Sequence, residues 1–424
     1  MEYKFKYADS YIRLDLPDEN IIKILQTDEI IPVTDIEQEV NRCLDNPLAS
    51  KPFNDIFTKG DKVVIVASDI TRLWIQVDKF LPFLVKRLNI LGIPDEDIII
   101  LIATGTHREE TPEERARVVG QEIYNRITVL DHNCQTSEMV MVGKTPRGTE
   151  VEINKLVAER KVILTGGIVH HLMAGYGGGR KSIVPGVASK KTIAQNHLHA
   201  LDPQAKRSNP LIGVGATLNN PLNLDMIDCT KLIEPDFLVN SVVDTKGNIA
   251  KLFGGHWLKA WETGCKWTDD NFGVAIEDQA DIVIASCGGF PKDMSLYQST
   301  KTLFNAALAV KPGGTILLIA ECREGAGADD FFNWSQPLKA GVLDPELRKN
   351  FTIPGYVFYA AVEIAQNAKV VLYSTIAPDL VSPMGIVPVN SISDALQELD
   401  LDSTKKIILM PYGGNTVPLC QMRK

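Results

Sequence analysis

Short runs of β-branched and leucine residues, separated by longer amphipathic stretches, recur along almost the whole chain, and no other feature limits the fold as much. Val63-Val64-Ile65-Val66 and Ile98-Ile99-Ile100-Leu101-Ile102 are the plainest of them. Runs this apolar leave no face for water, so they belong in parallel sheets covered on both sides by crossover helices. Strands are predicted over 62–67, 97–103, 126–131, 161–165, 281–286, 315–320, 369–374 and 406–411. The fold class is therefore α/β: two Rossmann-like domains with mostly parallel sheets and an active site expected in the interdomain cleft. Ligands of such sheets gather at the carboxyl ends of the strands.

A chain of 424 residues has room for two or three domains, and two is the expectation here. The glycine-bearing, polar stretch 254–275 is read as the break between them. This gives an N-terminal catalytic and cofactor-binding domain over 1–268 and a C-terminal Rossmann-like domain over 269–424, with 405–424 expected to pack back on the first. Strand 281–286, the Cys287-Gly288-Gly289-Phe290-Pro291 turn, a helix over 295–310 and strand 315–320 make one βαβ unit. The acid-rich 109–114 stretch reads as a solvated helix start.

Composition excludes several classes of function. A net charge of -9 argues against nucleic acid as a partner. The apolar runs fall well short of the roughly 20 residues of a membrane helix. The mixed-charge start Met1-Glu2-Tyr3-Lys4-Phe5-Lys6 lacks the apolar stretch of a secretory signal, so a cytoplasmic location is the default expectation. The seven cysteines are scattered and never spaced Cys-x-x-Cys, which argues against a disulfide framework or a zinc ribbon.

Chemistry concentrates between residues 107 and 199, which hold six of the seven histidines: 107, 132, 170, 171, 197 and 199. Adjacent histidines cannot all face one point, so at most three are expected to act. Within that window Thr165-Gly166-Gly167 is followed by His170-His171 and by Gly177-Gly178-Gly179-Arg180-Lys181-Ser182. Clustered glycines let backbone amides approach an anion, and a phosphate would suit Gly177, Gly178 and Gly179. The Gly-Lys-Ser/Thr ending of a P-loop is absent, which disfavours a Walker NTPase. Strand 62–67 runs into Ser68-Asp69-Ile70-Thr71-Arg72, and strand 97–103 into Thr104-Gly105-Thr106-His107-Arg108. A carboxylate there can hold ribose hydroxyls, and a guanidinium can grip a substrate carboxylate. On the helix over 295–310, Tyr297, Gln298 and Lys301 share a face that suits a carboxylate-bearing substrate.

In this order and spacing, Asp69-Ile70-Thr71-Arg72, Gly105-Thr106-His107-Arg108, the His171-to-Lys181 loop, His197, Gly288-Gly289-Phe290-Pro291-Lys292-Asp293 and Tyr297-Gln298-Ser299-Thr300-Lys301 resemble the nickel-pincer lactate racemase family over nearly the whole chain. The resemblance implies a racemase or epimerase of a 2-hydroxy acid, lactate or a related one, working by reversible proton-coupled hydride transfer through a 2-keto acid. It also implies a cofactor, the nickel-pincer nucleotide (pyridinium-3-thioamide-5-thiocarboxylic acid mononucleotide with Ni(II)), loaded by cofactor-biosynthesis enzymes. By position, His197 would be the nickel ligand and Lys181 the residue able to form a thioamide link. Gly177, Gly178 and Gly179 would take the phosphate, and Asp69 with Thr71 would contact the nucleotide. His107 and His171 would be the two bases, and Arg72, Tyr297, Gln298 and Lys301 would hold the substrate. Two departures stand out. Leu73-Trp74 follow Arg72 where the family commonly has proline, which leaves lactate one candidate among several hydroxy acids. Arg180 replaces a small residue and could meet phosphate or a second acidic group. The alternative reading is a non-catalytic or divergent nucleotide- or phosphate-binding module of the same fold.

Overall fold

A computed structural model of the chain describes every residue except 28, 329 and 421–424, and at 420 the backbone alone. The chain divides into two compact units. The first holds Glu29–Ala200 and Pro210–Asp270; the second holds Met1–Asp28, Leu201–Asn209 and Asn271–Lys424.

In the first unit the strands lie in the order Ile249–Gly255, Phe237–Val243, Lys161–Gly167, Val63–Ser68, Ile98–Ala103, Thr128–Asp131. Every neighbouring pair is parallel except the outermost, Phe237–Val243 with Ile249–Gly255. The chain builds outward from Val63–Ser68 in one direction, then returns to place Lys161–Gly167 on its other side. That reversal opens a crevice at the carboxyl ends of these two strands, where ligands of open α/β sheets bind. Both faces are covered. Helix Val77–Ile90, for instance, buries Phe80, Leu81, Leu84, Val85 and Leu88 at helical spacing against core residues Ile65, Ile100 and Ile163.

The second unit repeats the plan with a wholly parallel sheet: Ile386–Val389, Lys369–Tyr373, Val310–Ile319, Ala280–Ser286, Ile407–Met410, Ile21–Ile24. All eight strands predicted from the apolar runs are present in the two sheets.

The units differ from the expected division at both chain ends. Residues 1–28 join the second unit because Ile21–Ile24 pairs with Ile407–Met410, and because the hairpin Glu2–Tyr7/Ser10–Asp15 buries Phe5 and Leu14 in that unit's core. The described residues of the 405–424 region belong to the second unit. Ile407–Met410 is an interior strand of the second sheet, and Val417–Cys420 pairs with Gly273–Ile276. The stretch 254–275 is no polar break either: Trp257–Phe272 is a helix that buries Trp257, Ala260, Trp261, Cys265 and Thr268. Among the described residues no helix is long and apolar enough to cross a membrane, and the six cysteines with described side chains are free thiols.

Candidate functional site

The loops leaving Val63–Ser68, Ile98–Ala103 and Lys161–Gly167 carry the predicted residues of the first unit. Asp69 is 4 % exposed. One of its oxygens meets Nδ1 of His107, and the other accepts from Thr71 Oγ1 at 2.6 Å. Burial alone would raise the Asp69 pKa, but His107, Thr71 and Arg72 outweigh it and hold the carboxylate below its ordinary value. The carboxylate thus fixes the proton on Nδ1 of His107 and turns Nε2, the lone-pair nitrogen, away from itself. Asp69 was expected at the nucleotide's ribose; its hydrogen bonds here go to His107 and Thr71. Arg72 donates to Thr71 Oγ1 at 2.8 Å.

One residue of this group escaped the sequence reading. Glu110 lies in the stretch taken as a solvated helix start, and Thr111 and Glu114 do form the capping box of helix Pro112–Val119. Glu110 itself is 6 % exposed, accepts from the Ile70 amide at 2.9 Å, and so braces the turn that carries Asp69. Burial, reinforced by Asp69, raises its pKa.

Across the crevice, His171 Nδ1 accepts from the backbone amides of Met173 and Ala174 at 3.1 and 3.2 Å, and its Nε2 lies 2.7 Å from Lys181 Nζ. Those two amides require a bare Nδ1, so the ring's proton sits on Nε2. A proton shared across the Nε2–Nζ contact then leaves the lysine with a lone pair to accept it: Lys181 is neutral when His171 is. Its surroundings agree, since burial together with the charges of Arg72 and Arg180 draws the Lys181 pKa well below the usual value. His197, 3 % exposed on helix Lys190–His197, pairs Nδ1 with the Ile193 carbonyl at 2.9 Å. Burial and the neighbouring Lys181 lower its pKa to about 4, so the ring is neutral and Nε2 is its basic nitrogen. A metal-ligating imidazole needs this arrangement, with one nitrogen anchored to a carbonyl and the other deprotonated. Among the described residues no three His, Cys, Asp or Glu side chains gather as a metal site.

In the glycine loop, expected to take a phosphate, two of the three amides are engaged within the protein. The Gly177 amide donates to Val169 O at 2.7 Å and that of Gly179 to Asn240 Oδ1 at 2.8 Å, so neither is left for a phosphate. The glycines answer to packing. A Cβ at Gly178 (φ 70°) would stand 2.6 Å from Asn240 Oδ1, and one at Gly179 (φ 56°) 2.7 Å from the Trp261 ring. Arg180 is wholly buried and meets no acidic group among the described residues. It donates to the carbonyls of Ala174, Tyr176 and Gly178 and to Asn223 Oδ1, with its guanidinium 4.0 Å above the Trp261 ring. It is the internal staple of the loop and does not present a charge to a ligand.

The other histidines are structural. His132 is buried between Asn154 and the Ala188 carbonyl. His170 and Tyr176, opposite one another in a two-residue ribbon, both bond Asp269, which steadies the hairpin bearing His171. His199 faces buried Asp225 at 3.7 Å. Tyr297, Gln298 and Lys301 belong to the second unit, on helix Leu296–Ala309, where Lys301 donates to Gln298 Oε1 at 2.6 Å.

Comparison with known proteins agrees with this order of parts. Family models for the lactate racemase N-terminal and C-terminal domains match residues 7–208 and 275–417. The lactate racemase of Thermoanaerobacterium thermosaccharolyticum is 32 % identical over 97 % of both chains, and that of Lactiplantibacillus plantarum is 34 % identical over 70 % of this chain and 69 % of its own. The structure of the T. thermosaccharolyticum apoprotein superposes with a TM-score of 0.88 at 31 % identity, covering 99 % of this chain and all of that one. A Thermotoga maritima protein, 18 % identical with a TM-score of 0.64 over 92 % of this chain and 99 % of its own, shares the fold. The chain belongs to the lactate racemase family.

Proposed function

We propose that this chain interconverts the two enantiomers of a 2-hydroxy acid, with lactate the first substrate to try, and that it does so with a nickel-pincer nucleotide. The observation that carries this reading is the group of His171, Lys181 with its Nζ 2.7 Å from the His171 Nε2 and its pKa drawn well below the usual value, and a carbonyl-anchored His197 whose pKa is lowered to about 4. The donor set fits the cofactor: a deprotonated imidazole nitrogen suits Ni(II), and an uncharged amine is the form of lysine able to attack a thioacyl carbon. His197 would hold the metal and Lys181 the thioamide link. When bound, the nucleotide supplies the two-electron acceptor that inversion at a weakly acidic α-carbon requires.

The chain's own part is the handling of protons and the placing of the substrate. His107, with its proton directed at Asp69, offers Nε2 as a base for the substrate hydroxyl. His171 is proposed as the partner base; it returns a proton to the carbonyl oxygen of the 2-keto acid only from its doubly protonated, cationic form, in which Nδ1 no longer accepts from the Met173 and Ala174 amides. In a turnover one ring begins neutral, as base, and the other cationic, as acid, and the two exchange states, as a reaction running equally in both directions needs. Arg72 would hold the substrate carboxylate, and Tyr297, Gln298 and Lys301 remain proposed contacts for it. Phosphate anchoring by Gly177, Gly178 and Gly179 is not part of this proposal. The cytoplasm, where the cofactor-making enzymes would load the protein, is the proposed location.

The test is co-expression with those enzymes, followed by nickel analysis, intact mass, and incubation with single-enantiomer 2-hydroxy acids read by chiral chromatography. Nickel in proportion to protein, with one acid losing optical purity, is the expected result. A nickel-loaded chain that racemises none of them would refute the activity, and a chain that takes up neither nickel nor the nucleotide from a cell making both would refute the cofactor.

A further inference from the structure

The second unit has a reversal of its own. From Ala280–Ser286 the chain builds toward Val310–Ile319 on one side and finally places Ile407–Met410 on the other. The crevice position therefore lies between the loops that follow Ser286 and Met410. These loops are glycine-rich, Cys287-Gly288-Gly289-Phe290-Pro291-Lys292 and Pro411-Tyr412-Gly413-Gly414, and the Gly413 amide ties them together by donating to Ser286 O at 2.8 Å. Gly288 and Gly289 take consecutive positive φ values of 95° and 75°, a turn that favours glycine.

The Lys292 stem lies across this junction. Its Cδ is 4.0 Å from where a Cβ on Gly288 would stand and 3.7 Å from the same point on Gly414. Lys6, from the strand Glu2–Tyr7, packs its own stem over Gly289. Among the described residues neither ammonium has a hydrogen bond or an ion pair. The charge neighbours of Lys292 are Lys6, which opposes its protonation, and the buried Cys287 thiol, whose own pKa is pushed up to about 12; the Lys292 pKa lies below the usual lysine value. The one acid beside this cluster, the buried Asp293 carboxylate, accepts from the Ala8 amide and forms no ion pair with either lysine among the described residues. Two lysine side chains meeting at a strand-end crevice without an ion pair leave room for an anion to complete the site. Tyr412, 42 % exposed, has its ring beside Gly288 and could wall one side of such a ligand.

We propose that the crevice at Gly288-Gly289, Lys292 and Gly414 is a binding site for a small oxyanion, a phosphate monoester or a carboxylate, with Lys292 and Lys6 supplying the charge. The proposal does not rest on the racemase reading, and every group in it belongs to the second unit.

Calorimetric titration of the full chain with inorganic phosphate, with AMP and with acetate tests it. Binding of at least one is expected, weakened by about tenfold or more in K292Q, since a charge-assisted contact is lost. Phosphate and AMP binding without acetate would identify a phosphate site, and acetate binding as tight as phosphate a carboxylate site. Absence of binding by all three, or equal binding by K292Q, overturns the proposal. A second measurement needs no variant. Pyridoxal phosphate forms an imine with an accessible amine by loss of water, borohydride reduces that imine, and peptide mass mapping locates the tag. A tag on Lys292 that is suppressed by whichever anion binds in the titration supports the site; a tag there that this anion leaves unchanged, or none at Lys292, refutes it.

Discussion

Removing the Arg180 side chain while keeping its bulk, as in Arg180→Met, tests the claim that this cation is a staple. The guanidinium bonds Ala174 O at 2.6 Å, Tyr176 O at 2.9 Å, Gly178 O at 3.1 Å and Asn223 Oδ1 at 2.8 Å, all in the buried interior of the first unit. Burial draws its pKa down to about 9, so it remains charged at neutral pH, and the charge has a desolvation cost that methionine would relieve. Against that relief stand four acceptors left without this donor, at roughly 1–3 kcal/mol for each buried group that finds no other partner, and a desolvated cation–π contact of about 2 kcal/mol. Allowing for the relief and for some rearrangement, the net loss should be about 4 kcal/mol, with Arg180→Lys losing roughly half of it. Urea unfolding followed by tryptophan fluorescence reports this directly, since Trp261 lies under the guanidinium. A loss below about 1 kcal/mol for Arg180→Met would show that the loop stands without its staple, and the packing account of the glycines would fall with it.

Asp69→Asn should leave the fold intact yet lower kcat by about a hundredfold or more, because an amide no longer fixes the His107 tautomer; steady-state racemisation by the loaded enzyme checks this. Glu110→Ala should cost about 1–3 kcal/mol by leaving the Ile70 amide without its acceptor, read as a shift in urea midpoint. Burial lowers the His132 pKa from 6.5 to about 4. Above pH 6.5 neither the folded nor the unfolded ring carries the extra proton and the stability is full; between 6.5 and 4 only the unfolded chain takes it up, so stability should fall by about 1.4 kcal/mol per pH unit. Metal-free His132→Gln protein should show a correspondingly flatter acid limb in unfolding experiments.

How much of this could be read from the sequence depended on what each residue was asked to do. Strands such as Ile98–Ala103 are buried along most of their length, and an unbroken apolar run states that requirement by itself. Phe237–Val243 was missed because Asn240 and Ser241 interrupt its run. Both are wholly buried, yet each serves the site: Asn240 Oδ1 takes the Gly179 amide, and Ser241 Oγ donates to Ile75 O. Polar atoms that support a loop from inside a sheet look, in sequence, like the end of a strand. Helix Trp257–Phe272 was misread for a related reason: Asp269 and Asp270 suggest a solvated break, whereas Asp269 is where His170 and Tyr176 meet. Glu110 sits among four other acidic or capping residues, and nothing in spacing separates the one that turns inward. The chemical residues were legible because histidines and strand-end loops converge by topology. The glycine loop was legible as a site element, and its mechanism was not, since hydrogen-bond donors that are taken up internally leave no trace in sequence.

Arg180 and Lys181 bring this limit to a single dipeptide. In sequence they are two adjacent cations of equal promise; in the fold one faces four acceptors and the other faces an imidazole nitrogen. A guanidinium stays charged in either setting because its protonated form is so strongly favoured, whereas an ammonium withdrawn from water can release its proton. The Lys181 position uses that difference, since only a neutral amine can accept from Nε2 of His171 while Nδ1 accepts from the Met173 and Ala174 amides. Lys181→Arg keeps a basic side chain of similar length and should nevertheless fail: a permanent cation at this point can only donate, so the His171 proton would have to leave Nε2 and break both amide contacts. In NMR of the metal-free chain, the wild-type His171 ring should show its proton on Nε2, and the arginine variant should lose that signature. In the native chain, acetic anhydride should modify Lys181 with a pH midpoint well below the ordinary lysine value, and Arg180→Met, by removing one of the charges that depress it, should move that midpoint upward. A Lys181 midpoint at the value of exposed lysines would mean that the amine is charged at neutral pH, and the proton assignment of both side chains would be wrong.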